Sequence, residues 1–250
     1  MSNKVPKKVN LVKENKTQQN SSSRNISYSQ LSTYQTCPKQ WEMKYYRKKV
    51  PYKSSIHLVF GTSLHEVVQH WLDTIYSSTI KQANELDLNK MLYDRMIKNY
   101  QKEKSKSNDH HFSNQEELQM FYIDGTNILD YLKKKRSKYF SKKQVHLAGV
   151  ETFLYQQIKE GVYFKGYIDL VFYDQVVDKW TIVDIKTSTS GWKNYAKKDI
   201  SKISQVLLYK KFFSQQFDIP VDKIEVLYFI LKRRVPKDAE FPTMERRVQQ

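Results

Sequence analysis

Two aspartates and a lysine carry the first chemical signal in the chain. "GYIDLVFY" holds Asp169, and "TIVDIKTS" holds Asp184 with Lys186 two residues later. Both stretches are rich in β-branched and aromatic residues, the composition of strands. Side chains alternate faces along a strand, so Asp184 and Lys186 point the same way. A charge buried in a sheet without compensation costs on the order of several kcal/mol. An ion pair at a solvated strand end is one explanation, and for a lone D-x-K tripeptide it is the default. The chemical alternative is a cation site. Two carboxylates on neighbouring strands supply the oxygen ligands that a hard divalent ion takes. A lysine beside them would meet a scissile phosphate and the attacking water.

The surrounding elements must bring these residues together. "DQVVDK" reads as a turn that makes the two strands a hairpin and brings Asp169 near Asp184. "VHLAGVETFLYQQI", which contains Glu151, reads as the strand before them, and "KEG" as the turn between. "ISKISQVLLYKKFFSQQF" returns to helical spacing and sets Gln205 and Tyr209 at i and i+4 on one face. "KIEVLYFILKRR" is a last apolar strand, so the order is β-β-β-α-β.

The N-terminal half is helical. "ISYSQLSTYQTCPKQWEMKYY" starts at a Ser27/Gln30 capping spacing and restarts at Pro38, with Cys37 as a buried small apolar residue at the junction. "VFGTSLHEVVQHWLDTIY" is the clearest amphipathic helix, with Phe60, Leu64, Val67, Val68, Trp71, Leu72 and Ile75 on one face. His65 borders that face, where a lone histidine is by default a satisfied core residue. A helix over 86–102 follows, and another from a Ser113/Glu116 capping box to about Tyr139. Residues 1–25 read as a disordered basic tail, 26–143 as the helical region and 144–250 as the sheet-bearing core.

Composition narrows the partners. The chain has 250 residues, with 43 Lys and Arg against 26 Asp and Glu, a formal charge of +17. Such an excess favours a polyanion, nucleic acid first and an anionic membrane surface second. Lysine enrichment from an AT-rich genome accounts for part of it. A single cysteine excludes an internal disulfide or a four-cysteine metal site and fits a reducing cytoplasm. No apolar run reaches membrane-spanning length, and the N-terminus lacks the core of a signal peptide.

"GYIDLV", then fifteen residues from Asp169 to Asp184, then "DIK" resembles the PD-(D/E)XK nuclease superfamily. Within it the chain is similar to the RecB-type exonuclease group. "FGTSLHE" resembles the histidine motif of that group and points to His65. "GVETF" resembles its acidic strand and points to Glu151, and "QVLLY" matches its Q-x-x-x-Y signature at Gln205 and Tyr209. "SQLSTYQTCPKQW" resembles its helix–Cys-Pro–helix opening. The motifs keep their order over roughly 26–235. Ile168 stands where the family name has Pro, and the second acid is Asp rather than Glu.

The resemblance implies an α/β fold with a restriction-endonuclease-like core, a mixed sheet flanked by helices under an N-terminal helical cover. It implies Mg²⁺ or Mn²⁺ held by Asp169, Asp184, the Ile185 backbone carbonyl and His65, with Glu151 as an outer or second-metal ligand. Lys186 would act on the water and the phosphate, with Gln205 and Tyr209 orienting both. Iron–sulphur members use four cysteines, so no cluster is expected beside Cys37.

"STSGWKNYAKK" follows the second acid directly. Thr187 and Ser188 would donate to phosphate, Trp192 and Tyr195 would stack on unpaired bases, and Lys193 would contact the backbone. An ordinary basic loop with one anchoring Trp has equal standing. The expected activity is a DNA nuclease, most simply an exonuclease on single strands or duplex ends, in recombination, repair or degradation. Stand-alone nucleases of this kind occur in large tailed phages, so a host cytoplasm is one expected setting. No membrane partner is expected, and a helicase or recombinase is the expected protein partner. The rival readings are a non-catalytic DNA-binding scaffold and a subunit active only within a helicase–nuclease complex. No Walker motif is present, so any motor would be another chain. None of these residues reads the sugar, which leaves RNA open.

Overall fold

The computed structural model describes residues 24–140, 143–189, 192, 199–233 and the backbone of 244–245. Most of the expected tail, residues 1–23, lies outside these. Its last two residues, Arg24 and Asn25, begin a strand. The elements in chain order are β1 (Arg24–Ile26), α1 (Tyr28–Thr36), α2 (Pro38–Trp41), a π-helical turn (Glu42–Tyr46), α3 (Ile56–Ser77), α4 (Ile80–Glu85), α5 (Leu88–Lys106), α6 (Gln115–Lys134) and α7 (Arg136–Tyr139). Then come β2 (Val145–Lys159), β3 (Val162–Asp174), β4 (Lys179–Ser188), α8 (Ile200–Phe217), β5 (Ile224–Lys232) and β6 (Met244–Glu245). The β-β-β-α-β order read from the sequence is the order of β2 to β5. The whole is a restriction-endonuclease-like mixed sheet with helices on both faces and a helical cover before it.

α3 forms where its apolar spacing requires. Ser55 caps it by accepting the Leu58 amide at 3.3 Å. All seven residues expected on its inner face are buried. α5 and α6 pack on it and close the cover. The helix expected over 86–102 is α5, with Asp87 as its cap and the short α4 before it. The cap of α6 is Asn114, whose Oδ1 accepts the Glu117 amide at 2.8 Å, one residue beyond the expected Ser113. Ser113 instead bonds the Glu117 carboxylate at 2.6 Å. α6 stops at Lys134, and only one further turn reaches Tyr139. Cys37 is half-buried rather than buried. It caps α2, its Sγ 3.4 Å from the Gln40 amide. The need of the new helix for an acceptor outweighs burial of the thiol. No helix among the described residues is long and apolar enough to cross a membrane.

Among the described residues the sheet has six strands. β2 runs antiparallel along all of β3, while β4 pairs with β3 only from Leu170 to Asp174. β1 lies parallel to β3 at Val162–Phe164. A strand has two edges and β2 fills one, so β1 and β4 share the other. Among the described residues, the stretch of β3 between them, 165–169, pairs with no strand on that edge. β5 lies parallel to β4 after the α8 crossover and is covered on both faces, which explains its unbroken apolar run.

Each face of the sheet has its own core. Leu170, Phe172, Val183, Ile185 and Phe229 pack toward α3. Ile168, Val171, Ile182, Val226 and Ile230 pack toward α8. Ile168 and Leu170 are two residues apart on one strand yet face opposite cores. The same switch separates Val150 from Leu154 on β2. Between them Glu151 has φ 49°, a left-handed conformation that non-glycine residues seldom adopt inside a strand. The strand pair kinks there, and period two is broken at the pair of acids Glu151 and Asp169.

Candidate active site

The site lies where β3 and β4 part. The ladder between them begins at Leu170 and Val183, so the next opposed residues are Asp169 and Asp184. They are not paired through the backbone. Instead Asp169 Oδ2 accepts the Ile185 backbone N–H at 2.6 Å. A side chain thus replaces a ladder bond at the edge that β1 leaves open. Ile185, expected to offer its carbonyl, here offers its amide.

Asp184 is 3% exposed and reaches toward α8. Its Oδ1 accepts a hydrogen bond from Gln205 Nε2 at 3.3 Å, and the same amide nitrogen is 3.2 Å from the Tyr209 hydroxyl. Lys186 Nζ lies 2.8 Å from Asp184 Oδ2, an ion pair without hydrogen-bond alignment. Gln205 and Tyr209, chosen from i,i+4 spacing, therefore do meet the D-x-K strand. Tyr209 also packs on the α8 face of β3 at Gly166, where a Cβ would stand 3.0 Å from its ring.

His65 comes from the opposite side. Its Nδ1 is 3.9 Å from Asp169 Oδ2. One turn earlier, a Cβ on Gly61 would lie 3.1 Å from Thr187 Oγ1, so the glycine lets α3 approach the end of β4. One turn later, Gln69 is buried. Its Nε2 donates to Glu151 Oε1 at 2.6 Å and approaches the Asp169 carbonyl at 3.4 Å. Sequence reasoning missed Gln69. The available signal was a glutamine four residues after His65 on a face otherwise apolar.

Burial sets the electrostatics. It drives the Asp169 carboxyl up to about 8, with the Asp184 charge adding to the effect. Burial also raises Asp184, against the pull of Lys186, and raises Glu151, against the hydrogen bond from Gln69. His65 is pushed down to about 4, first by burial and then by the Lys186 charge, which leaves a neutral imidazole with a lone pair. Burial takes the Tyr209 phenol up to about 12, so it stays protonated. Three carboxyls in one cleft are thus costly to ionise unless positive charge joins them.

Among the described residues no three His, Cys, Asp or Glu side chains converge into a finished metal cage. The donor set nevertheless fits a divalent cation. Two carboxylates and a neutral imidazole border the same break in the sheet, and the buried Asp184 Oδ2 meets positive charge in the Lys186 ammonium at 2.8 Å.

The remaining expected contacts lie at the end of β4. Thr187 faces Gly61, and the Ser188 carbonyl accepts the Arg233 amide at 2.9 Å. Trp192 is half-buried against Tyr228 at 4.7 Å between ring centres, with the Lys202 ammonium 5.4 Å from its ring. Lys193 and Tyr195 lie outside the described residues.

A family model for the PD-(D/E)XK nuclease superfamily matches residues 25–250. A comparison with curated proteins finds no match.

Proposed function

The chain belongs to the PD-(D/E)XK nuclease superfamily, a metal-dependent nuclease family, and from that premise we propose that it is a DNA exonuclease of the RecB type. The observation that carries this reading is the pairing of half-buried Asp169 with buried Asp184 at a break in the sheet, with Lys186 on Asp184 and His65 over Asp169. A scaffold that only binds DNA has no use for buried acids that resist ionisation. The complete set His65, Asp169, Asp184, Lys186, Gln205 and Tyr209 therefore favours an enzyme.

Asp169, Asp184, the Ile185 carbonyl and the neutral His65 imidazole would hold Mg²⁺ or Mn²⁺, with Glu151 in the outer shell. The bound ion supplies an activated water and offsets phosphate charge in the transition state. Lys186 leaves Asp184 to meet a phosphate oxygen and orient the water with its ammonium. Gln205, fixed by Tyr209, holds Asp184 in place as Lys186 turns away. Gln69 holds Glu151 toward the cleft. Thr187 and Ser188 at the end of β4 donate to the neighbouring phosphate, while Lys193, Trp192 and Tyr195 serve the strand beyond. The role is DNA recombination, repair or degradation, with a helicase or recombinase as the protein partner.

The test is cleavage of end-labelled linear and closed circular DNA with Mg²⁺, Mn²⁺ or EDTA. Metal-dependent loss of linear DNA with circles spared is the expected result. Lys186→Ala should slow it by at least about 10²-fold, the scale for removing one transition-state charge contact. Unchanged cleavage in both Lys186→Ala and Asp184→Ala would overturn the site assignment.

A further inference from the structure

Beyond the acids, β2 and β3 run on past the end of the β4 pairing and carry four aromatic rings and a lysine on one face. The register sets Phe153 opposite Tyr167 and Tyr155 opposite Lys165, with Tyr163 two residues further along β3. Phe164 and Ile168 fill the α8 core, so Tyr163, Lys165 and Tyr167 point the other way, to the side on which His65 meets Asp169. The rings form a continuous ladder. Tyr155 and Tyr163 stack at 4.7 Å and 4°, Phe153 and Tyr155 at 5.8 Å and 16°, and Phe153 meets Tyr167 at 5.1 Å. The Lys165 ammonium is 5.7 Å from the Phe153 ring. Tyr167, nearest the acids, is 47% exposed, and Phe153, Tyr155 and Tyr163 are half-buried. None of the four rings packs into either hydrophobic core. Aromatic side chains of this size usually bury themselves in a core, and a joined set outside it marks a contact surface.

We propose that this ladder is a stacking platform for unpaired bases of single-stranded DNA next to the bond to be cut. The inference rests on the nuclease reading above and names its substrate. Every base has an apolar π-face that an aromatic side chain can receive without reading sequence. Lys165 provides a cationic group for the sugar–phosphate chain, in a protein of charge +17. Each strand residue advances about 3.3 Å, so Tyr163 lies roughly 20 Å along β3 from Asp169, a span of a few nucleotides. Duplex bases are stacked on one another and cannot use such a surface, so the platform selects single strands. The competing explanation is cross-strand pairing that only strengthens the sheet end. It predicts lost stability without lost binding.

The experiment measures binding of dye-labelled oligo-dT, an abasic oligomer of equal length and a duplex, all to full-length chain carrying Lys186→Ala, in EDTA so that cleavage is suppressed. Tyr163→Ser and Tyr167→Ser should each weaken oligo-dT binding about tenfold. Neither should alter binding of the abasic oligomer or the duplex, and Tyr163→Phe and Tyr167→Phe should restore oligo-dT affinity. Equal affinity for oligo-dT in wild-type and Ser ladders, or an equal loss on the abasic oligomer, would overturn the platform. So would a loss that appears only above the melting temperature of the variant. Hydrolysis of bis(p-nitrophenyl) phosphate with Mn²⁺, in chains that keep Lys186, separates the two readings. Ser ladders should match wild type on this small diester and fall behind on oligo-dT. A wild-type chain that hydrolyses neither substrate defeats the nuclease reading, whereas base-dependent binding through the ladder tests the platform by itself.

Discussion

From Leu170 to Asp174, β3 has a strand on each edge and a core on each face; from Lys165 to Ile168 it has β2 on one edge, no strand among the described residues on the other and a core toward α8 alone. The first half obeys the economy of a buried sheet. Its backbone groups are paired, and Leu170, Val171 and Phe172 bury apolar side chains on both sides. The second half keeps aromatic rings outside the cores. The acids stand at the join. Asp169 can turn its carboxylate to the Ile185 amide because the ladder stops there, and His65 can reach it because the face beyond is not filled by core. The comparison teaches that the candidate site is made by an interruption of regular pairing, with a fully paired half to hold position and a half that the proposed function assigns to the substrate.

The strongest way to break this contrast acts at the join. Asp169→Asn should lower metal-dependent cleavage by at least about 10²-fold while raising the stability of the metal-free protein at pH 8. The sign follows from the folded carboxyl titrating at about 8, far above an ordinary carboxyl. The folded state then binds more protons than the unfolded one between those limits, so wild-type stability falls as pH rises through that window. Asn carries no such cost, so the variant should show a shallower fall, the remainder coming from Asp184 and Glu151, whose carboxyls burial also raises. Urea unfolding in EDTA from pH 4 to 9 checks it, and a wild-type stability that rises with pH across that range contradicts the assigned environment.

Next comes the comparison of the halves themselves. Leu170→Ala removes a fully buried side chain and should cost about 2–5 kcal/mol. Tyr167→Ser, only three residues away on the open half, should cost less than about 1.5 kcal/mol. Equal losses in urea unfolding would erase the distinction between a core half and a binding half.

The smallest effect sharpens the cause of the kink. Glu151→Asn should change stability by less than about 1 kcal/mol, because Asn tolerates the left-handed conformation. Glu151→Val should cost about 1–2 kcal/mol more, since a β-branched residue resists it. Thermal melts of the two variants side by side make the comparison, and indistinguishable melts would mean the backbone there relaxes freely.

Much of the fold was legible because it rests on period. α3 shows its 3.6-residue repeat over 22 residues, and its predicted inner face is the buried one. The β-β-β-α-β order was legible from changes of period, and Gln205 and Tyr209 from their spacing on one helix. Local competition moved the boundaries. Cys37 became a cap, Asn114 displaced Ser113, and a short helix separated itself before Asp87. β1 was not legible, since three residues of polar sequence show no strand pattern and gain their pairing only from β3. Gln69 was missed for a related reason: its partners, Glu151 and Asp169, are 82 and 100 residues away.

The order of residues alone singled out the candidate side chains, since two acids, a lysine, a histidine and a Q-x-x-x-Y pair occur at spacings that strands and helices turn into faces. It also determined the sign of the partner through an excess of positive charge. Tertiary structure decided how those faces meet. Period two places Asp184 and Lys186 on one side, and they do pair, but nothing in that period announces that β3 changes faces at Asp169. That change depends on a left-handed Glu151, a missing ladder bond and a glycine that lets α3 approach β4. Each is a contact between segments far apart in the chain, where pairing and packing outweigh local preference.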